Sequence, residues 1–172
     1  MLINLSEALS TVGFEAERDA GIDMEVYEDG IHSFPITEKE PVHLKIRNVS
    51  SGKASLEGST RVKLKACCDR CLKDVDITIP LEFERDVASP EMRDPFEDDM
   101  AFMEDFDLNV DVLISNEILL NMPDKILCKP DCKGLCKKCG KDLNMGDCGC
   151  DDFVPDPRMA AIKEIFDANK EV

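Results

Sequence analysis

Eight of the nine cysteines in this 172-residue chain fall into four close pairs, Cys68/Cys71, Cys128/Cys132, Cys136/Cys139 and Cys148/Cys150, and six of the nine crowd into residues 128–150. Their neighbours there are Lys, Asp and Gly, which offer no apolar burial, so the thiols are best explained as metal ligands. Two thiolates separated by two residues can reach one ion at about 2.3 Å, and Gly140 after Cys139 permits the tight turn such a knuckle needs. Cys136, Cys139, Cys148 and Cys150 then complete one tetrathiolate site. Cys68 and Cys71, joined to Cys128 and Cys132 from more than fifty residues later, would make a second one that clips two distant parts of the chain together. Zn(2+) bound at both would be structural, because four thiolates leave no open position for an activated water. A redox-active Cys68/Cys71 pair is the competing reading. Cys67 is left as the ninth, unpaired thiol, expected to face inward as a small hydrophobe.

The rest of the chain must supply a framework that brings these pairs together. Val42, Leu44 and Ile46 alternate with polar residues, Val62 to Ala66 alternate again, and Val75, Ile77, Ile79, Leu81 and Phe83 give the clearest period of two. The intervening "CCDRCLKD" places Cys67, Cys68 and Cys71 where a hairpin turns, and Pro80 favours an edge strand or a bulge. Asp107 is expected to cap a helix over 107–121 that carries Val110, Leu113, Ile114 and Ile118 on one face and ends before Pro123. Asp156 and Pro157 introduce a short terminal helix. Residues 86–107, rich in Asp and Glu with Pro90 and Pro95, suit a mobile acidic linker. Residues 1–41 are expected to be a poorly defined arm, with a short amphipathic helix possible over 2–14. The fold class expected is α+β: an antiparallel sheet or partial barrel with a packed helix over 42–124, then a zinc-knuckle module and terminal helix over 125–172.

A formal net charge of −16 repels phosphate backbones and anionic membranes over most of the surface. Any contact with nucleic acid must therefore be local, and one stretch suits it: Lys125, Lys129, Lys133, Lys137, Lys138 and Lys141 are interleaved with the cysteines and are candidate phosphate-binding groups. The same lysines could instead offset the negative charge of a tetrathiolate site. No aromatic residue in the stretch would stack on bases. No basic leader or membrane-length apolar run is present, so a cytoplasmic protein without a membrane partner is expected. No phosphate loop, nucleophile elbow or HExxH motif occurs, and the two histidines, His32 and His43, have the setting of ordinary surface residues. No catalytic residues are expected.

"CCDRCLKDVDITIPLEFERDV", "ILLNMPDKILC", "CKGLCKKCGKDLNMGDCGC" and "DPRMAAIKEIF", in that order, resemble the bacterial YceD family of large ribosomal RNA subunit accumulation proteins, from about residue 42 onward. The family's recognisable positions fall here on Cys68, Arg70 and Cys71 and on the six later cysteines. Some relatives lack the second cluster, which implies two separable sites. The resemblance implies a non-enzymatic role in making or maintaining large-subunit (23S) rRNA, with that RNA or its precursor, a basic ribosomal protein, or both as partners. Two further expectations stay open beside it: a cytosolic thiol sensor or oxidoreductase using Cys68 and Cys71, and a structural partner of a ribosomal protein.

Overall fold

The computed structural model describes residues 1–93 and 100–150. Its centre is a hairpin of two fifteen-residue strands, β6 (Lys53–Cys67) and β7 (Asp74–Ala88), paired antiparallel from Lys53↔Ala88 at the base to Cys67↔Asp74 at the tip. At about 3.3 Å per residue such a ribbon reaches close to 50 Å, so the tip is carried well away from the base. Leu56, Val62, Leu64, Ile79, Leu81 and Phe83 face the core at alternate positions, and the intervening residues face solvent. Gly58 is required beside Phe83, since a Cβ there would lie 2.2 Å from the ring.

The other edge of β6 is shared by two strands in tandem. β5 (Val42–Ser50) pairs with residues 53–59, and β4 (Ser33–Lys39) with residues 62–64. The corner between β4 and β5 is fixed by the Glu40 amide donating to the Arg61 carbonyl at 3.0 Å and by the Thr60 hydroxyl donating to the Glu40 carbonyl at 2.9 Å. β2 (Glu15–Ala20) extends the sheet beyond β5, and β3 (Val26–Glu28) extends it beyond β4. Among the described residues β7 pairs with β6 alone, so Pro80 lies on an edge strand, where a missing N–H is tolerated.

Residues 1–41 differ from the loose arm expected of them. Besides β2, β3 and β4 they supply β1 (Leu2–Asn4) and α1 (Ser6–Ser10), with Ile3, Leu5, Ala8, Leu9, Ala20, Ile22 and Tyr27 in the buried core. Only Leu5, Ala8 and Leu9 of the expected amphipathic set are buried, while Leu2 and Val12 are exposed. Asn48 holds α1 in place by donating to the Ala8 carbonyl at 2.7 Å.

The acidic stretch over 86–107 also differs from a free linker wherever it is described. β7 continues to Ala88, a 3-10 turn covers Pro90–Met92, and two short strands follow, β8 (Met103–Glu104) and β9 (Asp107–Asn109). β9 pairs with β1 and β8, and Phe102 and Met103 are buried. The Arg93 guanidinium donates to the carbonyls of Ala88, Met103 and Asp105, drawing the two ends of the excursion together.

The second helix, α2, runs Val110–Asn121. Its cap is Asn109, whose side chain accepts from the Val112 amide at 3.3 Å; Asp107, the expected cap, belongs to β9. Val110, Leu113, Ile114 and Ile118 are buried as their spacing predicts, and the helix lies against β7. Glu117 is buried among them and is paired with Arg85 of β7 at 2.7 Å. The described residues are thus mostly antiparallel β with two α-helices, and the cysteines lie at the hairpin tip and after α2. The terminal helix expected from Asp156 lies outside the described residues.

The Arg85–Glu117 pair is asymmetric: Glu117 is 3% exposed and Arg85 is 36% exposed. Arg85→Ala therefore strands a buried carboxylate and is expected to cost about 3–5 kcal/mol in urea unfolding. Glu117→Leu leaves an arginine that can reach water, and is expected to cost less than half of that.

Candidate metal centre

The turn at the hairpin tip is a knuckle built by the sequence Cys68-Asp-Arg-Cys71-Leu72-Lys73. The Leu72 amide donates to the Cys68 carbonyl at 2.8 Å, and the Cys68 amide donates to the Lys73 carbonyl at 2.8 Å. Leu72 takes a positive φ of 58° to close it. Cys136-Lys-Lys-Cys139-Gly140 repeats the device: the Gly140 amide donates to the Cys136 carbonyl at 2.9 Å, and Gly140 has φ 72°. The two C-x-x-C loops therefore share one backbone form, with glycine at the left-handed position in one and a leucine in the other.

After α2, Pro123 turns the chain toward the tip. The Ile126 amide donates to the Asp69 carboxylate at 2.7 Å, and the Asp69 amide donates to the Ile126 carbonyl at 2.9 Å, which brings Cys128 and Cys132 to the knuckle. Arg70 donates to the Cys132 carbonyl at 2.7 Å and its own carbonyl accepts from the Leu135 amide. Gly134 passes so close that a Cβ would lie 2.9 Å from the Arg70 carbonyl oxygen, and its φ is +76°. The fit leaves room for no side chain.

The result is two tetracysteine centres. Cys68, Cys71, Cys128 and Cys132 form the first and Cys136, Cys139, Cys148 and Cys150 the second, the sulfurs of each within 4.8 Å of one another. In the first, Cys68 to Cys132 is 3.8 Å and Cys71 to Cys128 is 3.5 Å. A tetrahedron with metal–sulfur bonds of about 2.3 Å has edges of about 3.8 Å. The donor set and spacing thus fit a single thiophilic cation. Cys68, Cys71 and Cys132 are buried with Val75, Leu127 and Leu135 against them, while Cys128 is exposed. The second centre is more open, with only Cys136 buried.

Electrostatics divides the thiols within each centre. Burial pushes the Cys68 thiol up, but the backbone amides of Cys128, Cys71 and Arg70 outweigh it and bring it down to about 6. The amides of Cys139 and Lys138 bring Cys136 down to about 6. The neighbouring Cys71 thiol, helped by burial, pushes Cys128 up to about 12, and hydrogen bonds with Cys139, Cys148 and Cys136 push Cys150 up to about 12. Within each centre the thiolate form is thus favoured on some sulfurs and opposed on their neighbours. A divalent cation removes that conflict.

Each expected site residue has a definite place. The eight paired cysteines come together in the two sets described. Cys67 differs from expectation: it is exposed on β6, one residue before Cys68, because the alternation of the strand turns it outward. Lys125, Lys129, Lys133, Lys137, Lys138 and Lys141 are all exposed. Lys129 lies 3.8 Å from Asp131 and Lys141 donates to the Asp147 carbonyl; the other four make no ion pair among the described residues. His32 and His43 are exposed beside Asp29 and Asp19.

Sequence reasoning missed the supports. Asp142, Asn144 and Lys73 connect the two centres, with Lys73 on Asp142 at 2.6 Å and Asn144 donating to Cys132 Sγ at 3.4 Å. The Asp142 carboxyl is held down to about 2 by Lys73 and by the donors of Asn144. The D-x-N spacing at 142–144 was the available signal, since Asp readily accepts from the amide two residues on.

The family described as large ribosomal RNA subunit accumulation protein YceD matches residues 56–166. Proteins of Mycobacterium bovis and Mycobacterium tuberculosis, each named an uncharacterized protein, are 27% identical over 126 residues, which is 72% of this chain and 60% of theirs. The chain thus spans about 60% of the length of these curated relatives. No solved structure matches it.

The two left-handed positions at the first centre make opposite predictions. Leu72→Gly removes a strained side chain and is expected to raise stability by about 1 kcal/mol. Gly134→Ala adds both strain and a clash with the Arg70 carbonyl, and is expected to lower it by about 1–3 kcal/mol. Denaturant midpoints of the two variants measured beside the parent chain check both.

Proposed function

Because the chain belongs to the YceD family of large ribosomal RNA subunit accumulation proteins, we propose that it is a non-enzymatic ribosome-biogenesis factor that supports accumulation or processing of large-subunit (23S) rRNA, on a scaffold held by two structural zinc ions. One observation carries the reading: the family match runs through residues 56–166 and so takes in the hairpin tip and all four cysteine pairs. Four thiolates around each ion would close its coordination sphere, which suits a scaffold and leaves no place for an activated water.

The chain's own residues divide the work. The exposed lysines at 125, 129, 133, 137, 138 and 141 lie on a segment that the centres would hold rigid, so phosphate contacts would cost little ordering entropy. The strongly acidic remainder is suited to a basic ribosomal protein, which would reach the same RNA beside it. No helix among the described residues is long and apolar enough to cross a membrane. A thiol-redox role for Cys68 and Cys71 has less support. Reactive C-x-x-C pairs are partly exposed at a helix N-terminus; here Cys68 is fully buried in a hairpin turn, with two further thiols beside the pair.

Two measurements test the proposal. Metal analysis of untagged protein purified under reducing conditions is expected to give two zinc ions per chain and about one free thiol, that of Cys67. One ion with fast-reacting Cys68 and Cys71 would favour the redox reading instead. Co-purification from the cells that carry the protein is expected to enrich large-subunit rRNA or its precursor; enrichment of neither rRNA nor any ribosomal protein would sink the idea. If RNA is bound directly, Lys133→Glu with Lys137→Glu and Lys138→Glu is expected to weaken that binding. The slope of log affinity against log salt should then become shallower by about 0.7–0.9 for each phosphate no longer neutralised.

A further inference from the structure

Asn144 belongs to no cysteine pair, yet it stands on the second centre's loop with its side chain on a sulfur of the first. It sits in the 3-10 turn Leu143–Met145, within the loop that joins Cys139 to Cys148 of the second centre. From there its amide nitrogen donates to Cys132 Sγ of the first centre at 3.4 Å and to Asp142 Oδ1 at 2.8 Å. Its Oδ1 accepts from the Lys133 amide at 2.9 Å, next to that same cysteine. The loop is laid along the first centre by the Leu143 amide donating to the Gly134 carbonyl at 2.9 Å and by the bridge between Leu135 and Asp142. From the far side the hairpin tip reaches in, with Lys73 closing on Asp142 at 2.6 Å.

The second centre's loop therefore sets where a donor to the first centre's buried sulfur stands. Such outer-shell donors matter for affinity: they stabilise the thiolate and fix its direction, and losing one typically costs about 10–100-fold in metal binding. An ion at the second centre would order the loop at both of its ends, Cys139 and Cys148, and so hold Asn144 in position. An empty second centre would release both ends of that loop, leaving Asn144 held only by the contacts of residues 142–144 and its donation to Cys132 less well fixed.

We propose that the two centres load with metal cooperatively, with Asn144 as the positioning residue that couples them. The proposal rests on the reading above that both centres hold metal. By linkage the effect is reciprocal, so filling the first centre must tighten the second by the same factor.

Cobalt(II) titration of the full reduced chain, in competition with a chromophoric chelator, tests the coupling through the tetrathiolate absorption of each bound ion. The parent chain is expected to take two ions. Cys148→Ser with Cys150→Ser should leave one ion, bound at the first centre about tenfold more weakly. Asn144→Ala alone should weaken the first centre by a similar factor, and adding it to the double serine variant should cause no further loss. Cys68→Ser with Cys71→Ser should weaken the second centre equally, a measurement that leaves Asn144 untouched. First-centre affinity indifferent to emptying the second, or losses that multiply when combined, would overturn the coupling while leaving the two-metal reading in place. A parent chain that binds fewer than two cobalt ions would overturn both.

Discussion

The unbroken pairing of β6 with β7 is the constraint on which the rest depends, because it carries the chain's first two paired cysteines past the end of the apolar core. Around the base, the hairpin is covered by β5, α1 and α2 and stabilised in the ordinary way by buried Leu, Ile and Val. At the tip the cover is Val75, Leu127 and Leu135 around three cysteines, far too little apolar surface to hold a fifteen-residue ribbon and a returning loop together. The sulfur clusters stand where a core would otherwise have to be. With metal bound, they would explain how a chain with no Trp and a net charge of −16 fixes the segment after α2, residues 122–150.

Charge reinforces that division of labour. Two ions with eight thiolates would leave each centre with two negative charges, inside a protein already strongly acidic. Backbone amides, the Asn144 side chain and the lysines at 133, 137, 138 and 141 offset this locally. Those lysines also meet the solvent, so one set of cations can serve both the centre beneath and an anionic partner outside. The two readings offered by the sequence for the lysines are compatible, since an exposed ammonium attracts counter-charge on either side of it.

The sequence revealed the cysteine sets, the hairpin and α2 because each has a short-range signature: fixed ligand spacing, period two, or a 3.6-residue apolar stripe stopped by Pro123. The first forty residues lacked one. β2 reads Glu-Ala-Glu-Arg-Asp-Ala, a composition poor in strand formers, and becomes a strand only because β5 offers its edge. The acidic stretch misled for a similar reason: Phe102 and Met103 sit among acidic residues in the sequence yet are buried in the apolar core, and Arg93 folds the backbone by hydrogen bonds that no periodicity records. At the centres, ligand identity was legible but Asn144 and Lys73 were not, since their roles exist only once two distant segments meet.

The two centres also differ in how far along the chain they reach. The second closes within fifteen residues, Cys136 to Cys150, whereas the first joins cysteines separated by 57 and 64 positions. Loop closure costs grow as the logarithm of length, a difference of about 1 kcal/mol here, and slower diffusion of the longer loop adds to it. During folding, the local knuckle can form while the hairpin is still searching for its register. The first centre exists only where the hairpin tip meets the segment after α2, so it fixes the register of distant parts of the chain, whereas the second fixes only its own loop.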